Sequence, residues 1–409
     1  MAWYKISPLD PLFFRNMQSF AAGEETWADT VALPAPSNFY GALGTAIYAA
    51  DSGVTAAAIK KGLKIKGVFL EAGGEFYFPA PLDLCQEKGR NDPVRDLYLL
   101  RFVQKKRGVS NLPKCLEGYL VPDYELLRDA EAQEFAGFLS FLEWNRYIGS
   151  EGRCFQGHAL GSFVREEPKI GIKRDRKSLA AEEHMLYRAA FRRYLFDRRA
   201  DRFDRWDQVR FWVEAEMDPS LPSLPASGLL RLGGEGKAAK YERCESDARG
   251  KAEGKKKKPG GSLGHEKEYE GLLRDLAELK ANRVFAERTG AGPVKKFKLV
   301  FLTPAIFSER DRESWLPAGV NPENGEWEYK SMKFKLLACS TGRLLPAGGW
   351  DIKDKMPKPM RWAVPAGAVY YFEVLSKASA NDILEAFHWQ NLSEERAEEG
   401  FGLAAVGAA

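Results

Sequence analysis

Proton transfer near neutral pH calls for a histidine or a carboxyl group of shifted acidity. One histidine stands out by its setting: His158, within Gly157-His158-Ala159-Leu160-Gly161. A metal-independent ribonuclease would use such a side chain as acid or base. No second histidine lies near it in sequence. No HExxH pair or run of carboxylates offers a metal site, and no cofactor is expected. His158 is therefore read as structural or as a base contact, with catalysis as the rival.

A second chemistry is charge neutralisation. Lys173, Arg174 and Arg176 follow Gly171-Ile172 on what reads as a hairpin arm, and Arg188, Arg192 and Arg193 come next, interleaved with Tyr187, Phe191 and Tyr194. Cationic groups neutralise phosphates, and aromatic faces stack unpaired bases at ~1–3 kcal/mol each. The competing reading is a solvated amphipathic face, balanced by Asp175, Glu182 and Glu183. Gly233-Gly234-Glu235-Gly236-Lys237 invites a phosphate-loop reading. However, Arg231 falls where the first glycine of that motif belongs and Ala238 where its Ser/Thr belongs. Two readings stay open: a hairpin bend, or a loop from which Lys237 reaches RNA. Gly400-x-Gly402-x-x-Ala405 matches a dinucleotide fingerprint in letters only, because residues 403–409 leave no room for the helix that must follow.

These residues need elements to hold them. Trp3–Ser7 reads as extended and is broken by Pro8 and Pro11. Ser37 is expected to cap a helix whose buried stripe is Phe39, Leu43 and Ile47. Free N–H groups at that helix start are a possible phosphate contact. Leu63–Lys66 and Phe76–Phe78 read as a hairpin turned at Ala72–Glu75, and a second helix is expected over about 131–147. The order strand, helix, hairpin, helix approaches a split βαβ unit. Further strands are expected at 211–216, 297–302, 332–337 and 369–373, and a helix at about 266–287. Residues 249–264, with Lys255–Lys258 among glycines, read as a flexible insertion.

Composition sets the bounds. A chain of 409 residues suggests two or three domains, and 61 basic against 57 acidic side chains confine any nucleic-acid surface to a local patch. No apolar run approaches the ~20 residues of a membrane span, and Met1–Lys5 lacks the apolar core of a signal peptide. Five scattered cysteines without a CxxC pair give neither a zinc pattern nor a disulfide framework, so a cytoplasmic setting is expected.

Seven segments together resemble one family. They are Ile6–Arg15 (ISPLDPLFFR), Pro34–Leu43 (PAPSNFYGAL), Gly171–Arg176 (GIKRDR), Leu232–Lys237 (LGGEGK), Leu302–Phe307 (LTPAIF), Pro357–Gly367 (PKPMRWAVPAG) and Gly400–Leu403 (GFGL). In this order they resemble the third-subunit family of the Cmr complex, the type III-B CRISPR effector assembly. The resemblance implies an α+β protein of the RAMP superfamily with two ferredoxin-like (RRM-like) domains, divided near residue 210 into 1–210 and 211–409, with an insertion around 237–293 in the second.

It also implies a non-catalytic subunit that binds the 5′ handle of crRNA and contacts the large polymerase-like subunit and a neighbouring RAMP backbone subunit. On this basis the RNA-binding candidates are Arg15, Ser37, Asn38, His158, Lys173, Arg174, Arg176, Arg188, Lys237, Arg361, Gly400 and Gly402. The two glycines are implied to let backbone amides approach a phosphate. Trp362 either stacks a base or fills a domain interface. Two rivals remain: a RAMP endoribonuclease that matures crRNA through His158, and an adaptor that touches no RNA.

Overall fold

The computed structural model describes residues 1–15, 27–28, 31–51, 53–105, 112–174, 178, 181–197, 206–244, 263–307, 314–351, 354 and 356–409. Its first strand, Ala2–Pro8, ends at a proline that removes a ladder donor. It pairs antiparallel with Arg210–Met217 on one side and with Ala238–Cys244 on the other. Arg210–Met217 in turn pairs antiparallel with Leu63–Ala72. Helix Pro36–Ala50 covers this sheet, with Phe39, Leu43 and Ile47 fully buried against Ile6, Ile65 and Phe211.

The helix starts two residues earlier than expected. Ala35 occupies the cap position and Pro36 the first turn, so Ser37 is not the cap. Proline suits that place because its φ is already helical and its missing N–H has no partner to lose.

Beyond Leu63–Ala72 the sheet continues through Glu75–Pro79 and Gly137–Ser140 to a total of eleven strands. The helix expected over 131–147 is instead two strands, Ala132–Glu134 and Gly137–Ser140, followed by a short helix, Phe141–Ile148. Local chemistry explains the difference. At Gly137 a Cβ would stand 2.1 Å from the carbonyl oxygen of His158, so the backbone here is packed strand to strand. Ser140 then accepts from the N–H of Glu143 and caps the helix.

The second sheet is built from Lys296–Phe301, Met332–Ser340, Val369–Val374 and Leu403–Ala408. In chain order the strands of this set lie second, third, first, fourth across the sheet, all neighbours antiparallel. The first sheet repeats that arrangement with Ala2–Pro8, Leu63–Ala72, Arg210–Met217 and Ala238–Cys244. Helix Ala380–Phe387 enters through a capping box, Ser379 with Asp382, and buries Phe387 against Phe297, Phe334 and Trp327. A division at residue 210 would cut at the start of a central strand, so residues 210–244 go with the first sheet.

The helix expected over 266–287 is two helices, Leu263–Ala281 and Arg283–Thr289. They meet at Asn282, whose φ is 44° and whose side chain accepts from the N–H of Phe285 and donates to the carbonyl of Val406. Leu272, Leu276 and Leu279 are buried with Trp144 and Trp212 of the first sheet and Leu403 of the second.

Polar groups also join the sheets. Asp83, fully buried, accepts from the hydroxyls of Tyr147 at 2.8 Å and Tyr371 at 2.5 Å. Lys298, 1 % exposed, donates to the carbonyl of Tyr147 at 3.0 Å and lies 3.5 Å from the centre of its ring. Burial pushes the Asp83 carboxyl up and the Lys298 ammonium down to about 8, while the two charges draw each back toward its ionised form. Nearby, Glu214 of the first sheet accepts from the indole of Trp389 at 2.8 Å and from Lys280 at 2.7 Å.

Removing one partner of such a pair leaves a buried charge uncompensated. Lys298→Met is expected to lower folding stability by ~3–5 kcal/mol, and Asp83→Asn added to it to recover part of that loss. Denaturant titrations of the single and double variants measure both; equal stability of wild type and single variant would refute this role for the pair.

Candidate nucleic-acid interface

An open cleft of about 2740 Å³ lies across the two sheets. One wall starts with the chain just after the first strand. Leu12 and Arg192 exchange two backbone hydrogen bonds of 2.8 Å, which fasten this segment to the long arm strand Ala181–Asp197. The Phe13 ring then lies 5.3 Å from that of Phe191, and both are buried.

The glycine-rich segment 232–237 is the loop between Ser227–Arg231 and Ala238–Cys244, closed by the Leu232 N–H on the Lys237 carbonyl at 2.9 Å. Gly233 has a φ of +78°, and a Cβ there would come 2.6 Å from the Phe13 oxygen. Only glycine lets the loop approach so closely. The turn puts Lys237 Nζ 5.3 Å from the centre of the Phe191 ring, whose face also receives Lys169 Nζ at 4.6 Å. Arg15 and Arg231, both exposed, line the same cleft. Hairpin bend and lysine presentation are thus one device.

The rest of the lining includes a lobe built from residues 345–351 and 356–363. It lines the cleft with Leu345, Trp350 and Met360, which are 44 %, 59 % and 50 % exposed. Arg361, expected to contact RNA, has its Nε donating to both Glu395 oxygens at 2.8 and 2.9 Å, so the guanidinium anchors the lobe. Lys358, beside it, is paired with buried Glu399. Trp362 fills no interface; it is 49 % exposed and lies outside the cleft walls.

Gly400 and Gly402 also take another role. Both are buried, at φ +93° and +75°. The Gly400 N–H is used by Ala397 and the Gly402 N–H by Pro304, at 3.1 and 2.7 Å. A Cβ at Gly402 would stand 2.3 Å from the Ser393 nitrogen. These glycines admit neighbouring chain rather than a phosphate.

Ser37 and Asn38 do line the cleft. Pro36 has no N–H and that of Asn38 is bonded to Ala35 at 3.0 Å, so little of the helix start is left for an anion. His158, on strand Cys154–Ala159, pairs with Phe138 and Val94, and its ring lies edge-on to Tyr77 at 5.2 Å with Phe163 and Phe196 at 6.2 Å. Burial lowers its pKa, which favours the neutral ring. Among the described residues no three His, Cys, Asp or Glu side chains are grouped to hold a metal. Lys173 and Arg174 close the arm strand Val164–Arg174, whose base, at Lys169–Gly171, lines the cleft. Arg188 is exposed on the paired strand, and Arg176 lies outside the described residues. Lys169, Arg231 and Trp350 were not anticipated as site residues. The only sequence signal for the first two was their place beside Gly171 and Leu232-Gly233, and Trp350 had none beyond the two glycines before it.

The family described as CRISPR-associated protein (Cas_Cmr3) matches residues 4–260 and 255–409. The CRISPR system CMR subunit Cmr3 of Saccharolobus solfataricus is 25% identical over 243 residues, which span 58% of this chain and 62% of that protein, less than two thirds of its length. Among solved structures, type III-B Cmr-beta bound to cognate target RNA and AMPPnP matches at 18% identity and TM-score 0.44, covering 90% of this chain and 86% of that one. A type III-A Csm3–Csm4 subcomplex matches at 10% and 0.34, covering 92% and 94%.

The packing at Gly402 is directly testable. Gly402→Ala must strain a left-handed backbone and displace Ser393, at a cost of ~1–3 kcal/mol, whereas Gly161→Ala meets nothing within 4 Å. Thermal unfolding should separate the two, with the Gly402 variant melting lower; equal melting would overturn the packing role.

Proposed function

The chain belongs to the Cas_Cmr3 family of CRISPR-associated proteins, and from that premise we propose that it is a non-catalytic RNA-binding subunit of a type III-B effector complex whose cleft receives the 5′ handle of crRNA. One observation carries this reading. All seven segments of the family resemblance, scattered from Ile6 to Leu403, contribute residues to the walls of one cleft. A cleft lined by lysines and arginines and by exposed apolar side chains, one of them the indole of Trp350, suits single-stranded RNA, which carries phosphates along one edge and bases along the other. In this reading Lys169, Arg231, Lys237 and Arg15 contact the backbone, Lys173, Arg174 and Arg188 extend the track along the arm, and Arg176, outside the described residues, is a further proposed contact. Ser37 and Asn38 border it.

The strand order common to both sheets supports two ferredoxin-like domains of RAMP type, the first with its helix after the first strand and the second with its helix after the third. We place their division between Cys244 and Lys296, where the first sheet has ended and the second not begun. The large polymerase-like subunit and a neighbouring RAMP subunit are the protein partners in this reading. The setting is the cytoplasm, consistent with five free cysteines. No helix among the described residues is long and apolar enough to cross a membrane. The lowered pKa of His158, caused by burial, and its packing against the rings of Tyr77, Phe163 and Phe196 count against the endoribonuclease alternative.

Two measurements test the proposal. Handle RNA should bind with an affinity that falls with salt, and Lys237→Ala and Arg231→Ala should each lower the slope of log affinity against log salt by ~0.7. Incubation of the protein with repeat RNA in EDTA should leave the RNA intact. Defined cuts lost in His158→Ala would establish the processing enzyme instead, and unchanged RNA binding in both cation variants would favour the adaptor.

A further inference from the structure

A tryptophan left 59 % exposed at the edge of a cleft has apolar surface that folding did not use. Trp350 is such a residue, and its backbone is firmly held. Arg396 brackets it, donating to the carbonyl of Gly348 at 2.8 Å and to that of Pro359 at 2.6 Å. Asp351, the next residue, pairs with Lys60 of the first sheet's helix Ala56–Gly62 at 3.5 Å. Trp350 itself sits opposite Pro357 in a two-residue ladder. The strand is fixed on three sides while the indole is presented to the cleft. A large planar group held in this way loses little conformational freedom on binding, which is the property of a preorganised platform.

The surroundings indicate what the platform takes. Leu345 and Met360, which line the same cleft, are apolar and half exposed, and the lining also carries Lys169, Lys237 and Arg231. A single strand of RNA presents phosphates to the cations and an unstacked base to the indole, and base–aromatic stacking tolerates any base because each has a π face.

We propose that Trp350 is a base-stacking residue: it receives one unpaired nucleobase of a single-stranded RNA lying in the cleft. This rests on the reading of the cleft as an RNA site and adds to it the residue that engages a base. Trp362, similarly exposed at 49 % on strand Arg361–Ala363 but outside the cleft walls, is not part of the platform.

The test uses the full chain and a labelled single-stranded RNA of about ten nucleotides, titrated over a salt series. Trp350→Ala is expected to weaken binding roughly tenfold with an unchanged salt slope, since a stack is lost and no charge. Trp350→Phe should retain most of the affinity and Trp362→Ala all of it. Scanning an abasic nucleotide along the RNA should identify one position at which Trp350→Ala costs nothing further. Thermal unfolding of each variant checks that the fold is intact.

Wild-type affinity in Trp350→Ala, beside a loss in Lys237→Ala, would overturn the stacking role and leave the cleft as an RNA site. Wild-type affinity in both would overturn the cleft reading itself. A Trp350→Ala variant that binds RNA normally but drops out of the assembled complex would assign the indole to a protein contact and so reject the proposal.

Discussion

The architecture depends on a charge pair that neither sheet could bury alone. Asp83 follows the hairpin of the first sheet, and Lys298 sits in a central strand of the second. An isolated buried carboxylate or ammonium is strongly disfavoured, so each sheet carries a group that is satisfied only when the other is docked. The hydroxyls of Tyr147 and Tyr371, one on each side, are the donors to Asp83, while Lys298 donates to the Tyr147 carbonyl and acts on Asp83 through its charge. Hydrophobic contact drives association but specifies geometry poorly, whereas these bonds hold in one arrangement.

That arrangement builds the floor of the cleft. The segment leading to Asp83 crosses from one sheet to the other: the Leu82 N–H donates to the Gly367 carbonyl at 2.8 Å, and Ser340 Oγ donates to the Leu82 carbonyl at 2.7 Å. Gly367 is at φ +89°, and a Cβ there would reach to 2.4 Å from the Ala80 oxygen. Ala80 and Leu82 from one side and Pro365 and Ala366 from the other line the cleft directly above this junction. Gly233, Gly367 and Gly402 thus share a task. Each removes a side chain where two stretches of backbone must meet, and the meeting shapes the cavity.

Much of the frame was legible in the sequence because its signals are local. The alternation of Leu63–Lys66 and the stripe of Phe39, Leu43 and Ile47 report on neighbours within a few residues, although the cap proved to be Ala35 and not Ser37. Misreadings came where distant chain decides. Phe135, Phe138 and Leu139 have helical spacing, yet Gly137 packed against His158 and Phe138 placed opposite Pro79 make that stretch a strand. The break at Asn282 depends on Val406, over a hundred residues away. At the cleft, the place of Lys237 on its glycine loop was readable from the sequence. The role of Arg361 was not, because the glutamate that takes its guanidinium lies thirty-four residues on.

The same distinction governs which positive charges bear on function. A near-neutral chain has few cations to spare, and several near the cleft are committed to holding it open. Arg361, Lys358 and Arg396 bind the lobe to Glu395, Glu399 and backbone carbonyls. Lys237 is held differently, over the π face of Phe191, an interaction that steadies an ammonium without neutralising it; Lys169 shares that ring and also lies 4.0 Å from Glu167. A carboxylate partner would cancel the field of such an ammonium; an aromatic face leaves it in place. The burial of Phe191 beneath Phe13 therefore serves electrostatics as well as packing. It links the opening Phe13-Phe14-Arg15 segment to the cationic wall through one ring rather than through any charge of its own.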